Sequence, residues 1–145
     1  MFPNFQDREY VLTNLITLRF SPPVRGDVIV FKAPPDPEKD FIKRVIGMPH
    51  DAITLKSGDV YVNGHKLDES AYLNTSVKTY AGSFLHDDET ITVPNGYFFV
   101  MGDNRPNSSD SREWGFVSKK EVIGKSFFAY WPPNEVGLIK NPYKK

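Results

Sequence analysis

Two stretches of this chain hold side chains whose type and spacing suit chemistry. The first is Phe41-Ile42-Lys43-Arg44-Val45-Ile46. Read as a β-strand, it alternates its side chains between two faces. Lys43 then lies with Phe41 and Val45, and Arg44 with Ile42 and Ile46. One of two adjacent cations must therefore face apolar neighbours. A lysine in apolar surroundings loses hydration of its charged form, and its pKa falls. The neutral amine can act as a general base at physiological pH. In the plainer alternative, one of the two cations reaches solvent along its own stem and pairs with a carboxylate.

The second stretch is Gly102-Asp103-Asn104-Arg105-Pro106-Asn107-Ser108-Ser109-Asp110-Ser111-Arg112, directly after the apolar run Tyr97–Met101. Turn formers, hydroxyls and charges make it a dense polar loop, in which Asp103 could pair with Arg105 and Asp110 with Arg112. A calcium loop does not fit. Arg105 falls where an oxygen ligand is needed, and neither the glycine nor the terminal glutamate follows at the required place. A solvated loop is the plainer alternative.

Other candidates are weaker. His50, His65 and His86 lack metal-ligand spacing. Asn74-Thr75-Ser76 and Asn107-Ser108-Ser109 match a glycosylation pattern that arises often by chance. No glycine-rich phosphate loop is present, and the sequence implies no metal and no cofactor. With 18 Lys plus Arg against 18 Asp plus Glu, the formal net charge is zero. Non-specific nucleic-acid binding needs a basic excess, so nucleic acid is not an expected partner. The chain has no Cys, which excludes disulfides, thiolate metal sites and cysteine catalysis. No run approaches the ~18 apolar residues of a membrane span, and no leader is visible at the start.

The elements that must position these groups are short strands. The length of 145 residues suits one domain, and 39% apolar with 14% aromatic residues is enough for a core. Proline clusters at Pro22-Pro23, at Pro34-Pro35 with Pro37, and at Pro132-Pro133 end segments. Between them the sequence predicts strands at Tyr10–Leu18, Asp27–Lys32, Phe41–Ile46, Ala52–Leu55, Asp59–Val62, Glu89–Val93, Tyr97–Met101 and Lys125–Trp131. Asn63-Gly64 is the strongest hairpin signal. Ser118–Ile123 reads as a short helix with Ser118 as N-cap. The expected fold is mostly β, with short antiparallel strands in two sheets or a distorted barrel. A polar stretch at about 64–88 is expected to form a small β insert or flap on a single domain, 1–145.

Three segments, in chain order, resemble type I signal peptidase, the serine–lysine family that removes signal peptides from exported proteins. They are Arg25-Gly26-Asp27-Val28-Ile29-Val30-Phe31, Phe41 to Pro49, and Gly102 to Arg112. The last follows the family pattern almost residue for residue. The resemblance runs to about Pro132, with the insert poorly matched. It implies that Lys43 is the general base, that Ser108 hydrogen-bonds and orients its amine, and that Asp110 and Arg112 form a supporting ion pair. Asp103, Asn104 and Arg105 would support the same loop. Met1, Phe5, Phe41 and Ile42 would line shallow pockets for small side chains, typically Ala. The substrate would lie extended beside Asp40–Ile42.

The opening Met1-Phe2-Pro3-Asn4 matches the family's Ser-Met-x-Pro motif from its methionine onward. The resemblance therefore sets the nucleophilic serine immediately before Met1, with part of the oxyanion hole and a single-pass membrane anchor further upstream. The chain is expected to be a soluble fragment, inactive by itself. The parent enzyme is expected to act at the extracytoplasmic face of a cell membrane, with signal peptides and the membrane surface as partners. Two departures stand out: Asn4 replaces the usual threonine, and His50 replaces the usual glycine, so the turn at His50 is expected to be built differently. Two other readings compete. One is a serine–lysine autopeptidase, for which Ala81-Gly82 supplies a candidate bond. The other is a non-catalytic β module that binds peptides or partners.

Overall fold

The computed structural model describes residues 10–14, 21–131, 137–139 and 141–143. Its strands are β1 (Tyr10–Asn14), β2 (Val28–Ala33), β3 (Asp36–Gly47), β4 (Ala52–Lys56), β5 (Asp59–Val62), β6 (His65–Lys66), β7 (Thr90–Thr92), β8 (Tyr97–Met101), β9 (Val117–Ser118), β10 (Val122–Trp131) and β11 (Gly137–Leu138). A one-turn helix, α1, spans Ser111–Trp114. Among the described residues the strands form two antiparallel sheets. One runs β1-β10-β2-β3-β8-β9, with β11 also on β10, and the other runs β6-β5-β4-β7. Of the two expected architectures, the chain takes the two sheets.

The larger sheet is covered on both faces where β3 meets β8. Ile29, Phe31, Val45, Phe98, Val100 and Val117 form one core. Ile46, Phe99 and Met101 join Ile53, Leu55, Val60 and Val62 of the second sheet, with Leu85 and Val93 from the segments flanking β7, in another. Strand alternation sends neighbours to opposite cores, as Val45 and Ile46 show. Lys43 and Arg44 therefore both face covered ground.

β3 starts earlier than expected, at Asp36 rather than Phe41. The prolines around it suggested a break. Pro34 and Pro35 make the turn to β2, which closes with Ala33 opposite Asp36. Pro37 is tolerated because β3 pairs with β8 only from Arg44 onward, which leaves the outer edge before it without a strand among the described residues. The Asn63-Gly64 hairpin forms as expected, with both residues at positive φ, 53° and 80°.

The expected helix at Ser118–Ile123 is a correction. Ser118 does cap, accepting a bond from the Lys120 amide at 3.3 Å, but the helix is one 3-10 turn, Lys119–Glu121. Val122 and Ile123 pass into β10, where Val122 pairs with Phe31, because β-branched side chains gain more from a sheet. Residues 15–18 of the first expected strand lie outside the described residues. Within 64–88, β6 is the one named strand, but Tyr72, Leu73 and Leu85 are buried and the segment packs onto the core.

The turn at His50 is a second correction. Asp51 N donates to Met48 O at 3.0 Å, Pro49 occupies the first central position, and His50 sits at φ +73°. That is the type II geometry that glycine ordinarily supplies. The Asp51 carboxylate holds it, accepting from Met48 N at 2.7 Å, Arg25 at 2.8 Å and Asn63 Nδ2 at 2.8 Å. A left-handed L-residue costs roughly 1–2 kcal/mol, and glycine's greater unfolded freedom returns roughly 0.5–1 kcal/mol of that. His50→Gly should therefore stabilise the protein by about 0.5–1 kcal/mol. A urea melt with a higher midpoint and unchanged slope is the expected result.

Candidate active site

β8 delivers the chain to Gly102, beside Lys43 on β3. Lys43 pairs in register with Ile29 of β2, and its Nζ stands 5.1 Å from the centroid of the Phe41 ring. Phe41 packs in turn against Phe31 and Trp114, at 6.4 Å from each. Lys43 is half-buried and makes no ion pair or hydrogen bond among the described residues. Burial holds its pKa below the ordinary lysine value; the Asp110 and Asp103 charges oppose that shift and Arg112 adds to it.

Arg44 takes the other course and is almost fully buried. Its Nε and NH2 grip both Asp103 carboxylate oxygens at 3.0 and 2.8 Å, its NH1 donates to Gly26 O at 2.9 Å, and it lies over Tyr72 at 4.3 Å. The strand thus spends its ion pair on Arg44 and leaves Lys43 without one. The pairing of Asp103 with Arg105 expected from sequence is corrected, since Arg44 occupies the Asp103 carboxylate. Arg105 turns away instead and bonds Gly102 O through Nε at 3.0 Å, Thr79 Oγ1 at 2.6 Å and Glu69 Oε2 at 3.1 Å.

The loop returns through a 3-10 turn, Arg105–Asn107, opened by Pro106 and tied by a weak Asn107 to Asn104 side-chain bond at 3.4 Å. Ser108 follows in extended conformation and turns its hydroxyl back onto Gly102. A Cβ at Gly102 would stand 2.2 Å from Ser108 Oγ and 3.6 Å from Lys43 Cδ. Only glycine permits this approach. Ser108 and Lys43 therefore flank one glycine, but the hydrogen bond expected between the Ser108 hydroxyl and the lysine amine is not formed. The Ser108 hydroxyl is buried and has no hydrogen-bond partner among the described residues.

Asp110 and Arg112 form the expected pair, both buried, through bonds of 2.8 Å from Nε and 2.8 Å from NH2. Asp110 also caps α1 by accepting from Arg112 N at 3.2 Å, and it accepts from Gly102 N at 3.1 Å. Arg112 bonds the carbonyls of Arg105 at 2.8 Å and Tyr80 at 3.1 Å. Ser111 Oγ accepts from Val100 N at 2.9 Å, and Trp114 Nε1 donates to Ser109 Oγ at 3.1 Å. Sequence reasoning missed α1. Its signal was present as Asp110 followed three residues later by Glu113, then Gly115 at φ +88°.

Of the expected substrate-binding residues, Phe41 and Ile42 are half-buried on β3 and Asp40 is exposed, paired with Lys32 at 2.8 Å. Met1 and Phe5 lie outside the described residues. Glu69, Thr79 and the Tyr80 carbonyl were not foreseen. They come from the segment at 64–88, which in sequence reads as an insert or flap without catalytic residues.

The chain is similar to several known proteins. The family model described as signal peptidase, peptidase S26, matches residues 1–131. The chain is 37% identical to a probable signal peptidase I-2 of Synechocystis over 96% of its own length, and spans 62% of that relative. It is 35% identical to signal peptidase IB of Staphylococcus aureus, covering 98% of this chain and 78% of that protein. A crystal structure of a signal peptidase I from Enterococcus faecalis superposes with a TM-score of 0.59 at 32% identity, covering 71% of this chain and 95% of that one.

Removing one partner of a buried pair leaves the other charge uncompensated, at about 3–5 kcal/mol. Asp110→Ala should therefore lower unfolding free energy by about that amount, because Arg112 is stranded and Gly102 N and α1 lose their acceptor. Chemical denaturation checks this. A loss below about 1 kcal/mol would mark the pair as no stronger than a surface one.

Proposed function

Because the chain belongs to the signal peptidase family, peptidase S26, we propose that it carries the lysine half of a serine–lysine dyad that cleaves signal peptides from exported precursors. One observation carries the proposal. A desolvated lysine without an ion partner and a buried serine hydroxyl without a hydrogen bond flank the same glycine. Both groups are costly to bury in that state. A hydrogen bond between Ser108 and the Lys43 amine would satisfy both and fix the direction of the amine.

The nucleophile in this reading is the serine that the family motif sets immediately before Met1. Neutral Lys43 takes the hydroxyl proton as the serine oxygen attacks the scissile carbonyl. The tetrahedral intermediate collapses, and the lysine's proton goes to the leaving amine. Lys43, neutral again, then takes a proton from the water that attacks the acyl-serine, and returns it to the serine oxygen as the carboxylic acid product leaves. The bound precursor adds a strand to the open edge of β3 at Asp40–Ile42. Phe41 and Ile42 shape pockets that admit small side chains. Asp103, Arg105, Asp110 and Arg112 hold the loop and take no part in proton transfer. A membrane surface, where such precursors are presented, belongs to the same reading.

The chain extended upstream to include that serine should cleave a peptide ending Ala-x-Ala, and Lys43→Arg should abolish cleavage, because arginine does not release its proton in a protein. Turnover by Lys43→Arg would overturn the assignment. The rate should rise with pH as neutral amine accumulates, with its acid limb below the ordinary lysine value.

Stability has a related sign. Between the lowered folded value and the ordinary value, the unfolded chain binds the proton and the folded chain does not, so stability rises with pH across that window. Below the folded value the folded chain holds a poorly solvated cation. Lys43→Met should therefore be at least as stable as the parent at neutral pH while inactive, and its advantage should shrink on raising the pH. A less stable Lys43→Met at neutral pH would show that the ammonium group is comfortably solvated.

A further inference from the structure

We propose that Glu69, in the segment between the second sheet's strands β6 and β7, is a positioning residue for the Lys43–Ser108 site, acting through Arg105. The inference rests on the dyad reading above and adds a residue that no motif of the sequence contains. Arg105 is fully buried, and its side chain has two ends. Nε holds the carbonyl of Gly102, and the outer nitrogens hold Glu69 and the Thr79 hydroxyl. Gly102 is the residue against which both Ser108 Oγ and Lys43 Cδ rest.

Each contact in this chain has little slack. Glu69 engages Arg105 through both carboxylate oxygens, Oε2 to NH1 and Oε1 to NH2. That bidentate fit fixes the plane of the guanidinium as well as its charge. Tyr72 donates its hydroxyl to Glu69 Oε1 at 2.8 Å and so fixes the carboxylate. Gly102 N is anchored independently by Asp110. The peptide groups on either side of Gly102 are thus pinned from two directions, one by the motif's own ion pair and one by the second region. Burial opposes the charge of Arg105, and Glu69, with smaller contributions from Tyr72 and Asp103, outweighs this and raises its pKa. Without Glu69 the guanidinium would be drawn toward water and would release the Gly102 carbonyl.

The consequence is read at Lys43. The charged groups that act on it are Asp110, Asp103 and Arg112; Glu69 and Arg105 are not among them. A change at Glu69 therefore reaches Lys43 through the position of Gly102 and the water it excludes, rather than through direct charge.

The experiment is an NMR titration of the lysine side chains in this chain, with Lys43 assigned by Lys43→Arg, and compared with Glu69→Gln and Thr79→Val. In the parent, Lys43 should titrate below the other lysines. In Glu69→Gln it should move up toward them, and in Thr79→Val, which loses one bond of Arg105, it should move in the same direction by less. Asp51→Asn breaks a pair remote from Gly102 and should lower stability without moving Lys43. In the chain carrying the upstream serine, Glu69→Gln should lower kcat about tenfold with KM little changed, as expected for a displaced catalytic group. Folded Glu69→Gln and Thr79→Val proteins with an unmoved Lys43 would overturn the proposal. So would an Asp51→Asn protein that moves Lys43 equally, because the effect would then be general loosening. An ordinary Lys43 titration in the parent would instead overturn the dyad reading on which the proposal stands. If Glu69→Gln does not fold, the Thr79→Val titration alone decides.

Discussion

The Asp110 carboxylate is where the loop, the helix and the strand are fastened together. It accepts from Gly102 N, from Arg112 N, and from Nε and NH2 of Arg112. One anion thereby ends β8, starts α1 and holds the arginine that clamps the Arg105 and Tyr80 carbonyls. A carboxylate buried with fewer donors would leave lone pairs unsatisfied. With these four it is well satisfied, and the segment between Gly102 and Asp110 can return through its 3-10 turn to bring Ser108 against Gly102. Polar groups at a covered site are stable only as a fully connected set, and here the set extends through three elements.

Against that frame the distribution of cations is uneven. Arg44, Arg105 and Arg112 each face a carboxylate: Asp103, Glu69 and Asp110. Lys43, in the middle of them, has a phenyl ring for its nearest partner. The contrast follows from side-chain chemistry. A planar guanidinium with five donors can satisfy a carboxylate and a carbonyl at once and stay charged when buried. A lysine amine readily gives up its proton when dehydrated. The arginines build, and the lysine is left with its charged form poorly solvated. The same burial makes it a burden on stability at neutral pH, as expected of a functional group held away from its preferred solvation.

Much of this was legible in the sequence, for reasons that differ by element. The runs DVIVFK and YFFVM name their strands because β-branched and aromatic residues fill both faces of a covered sheet. The Asn63-Gly64 hairpin was legible from two residues because that turn needs two positive φ angles. The Asp110–Arg112 pair is local and followed from spacing. The partners of Asp103 and Arg105 were not legible. Spacing offers each the other, but the residues separated by 59 and 36 positions win because the loop folds its side chains to opposite sides. His50 misled in the opposite way. Its type argued against a glycine turn, yet Asp51, with three donors of its own, holds the backbone in that shape.

The least legible part is the share of the site that comes from outside its motifs. The segment between β6 and β7 is polar in sequence and reads as a flap. In the fold it supplies Glu69 and Thr79 to Arg105, the Tyr80 carbonyl to Arg112 and the Tyr72 ring to Arg44. Each contact holds a buried cation of β3 or of the loop and helix that follow β8. Asn141 and Tyr143 close the same seam: Asn141 bonds Asp27 and the Arg25 carbonyl, and Tyr143 bonds the Asp68 carbonyl. Gly26 is required there, since a Cβ would lie 2.4 Å from Asn141 Oδ1. The polar residues of the segment are thus spent on ligating buried cations, which is why neither hydrophobic periodicity nor a short motif discloses them.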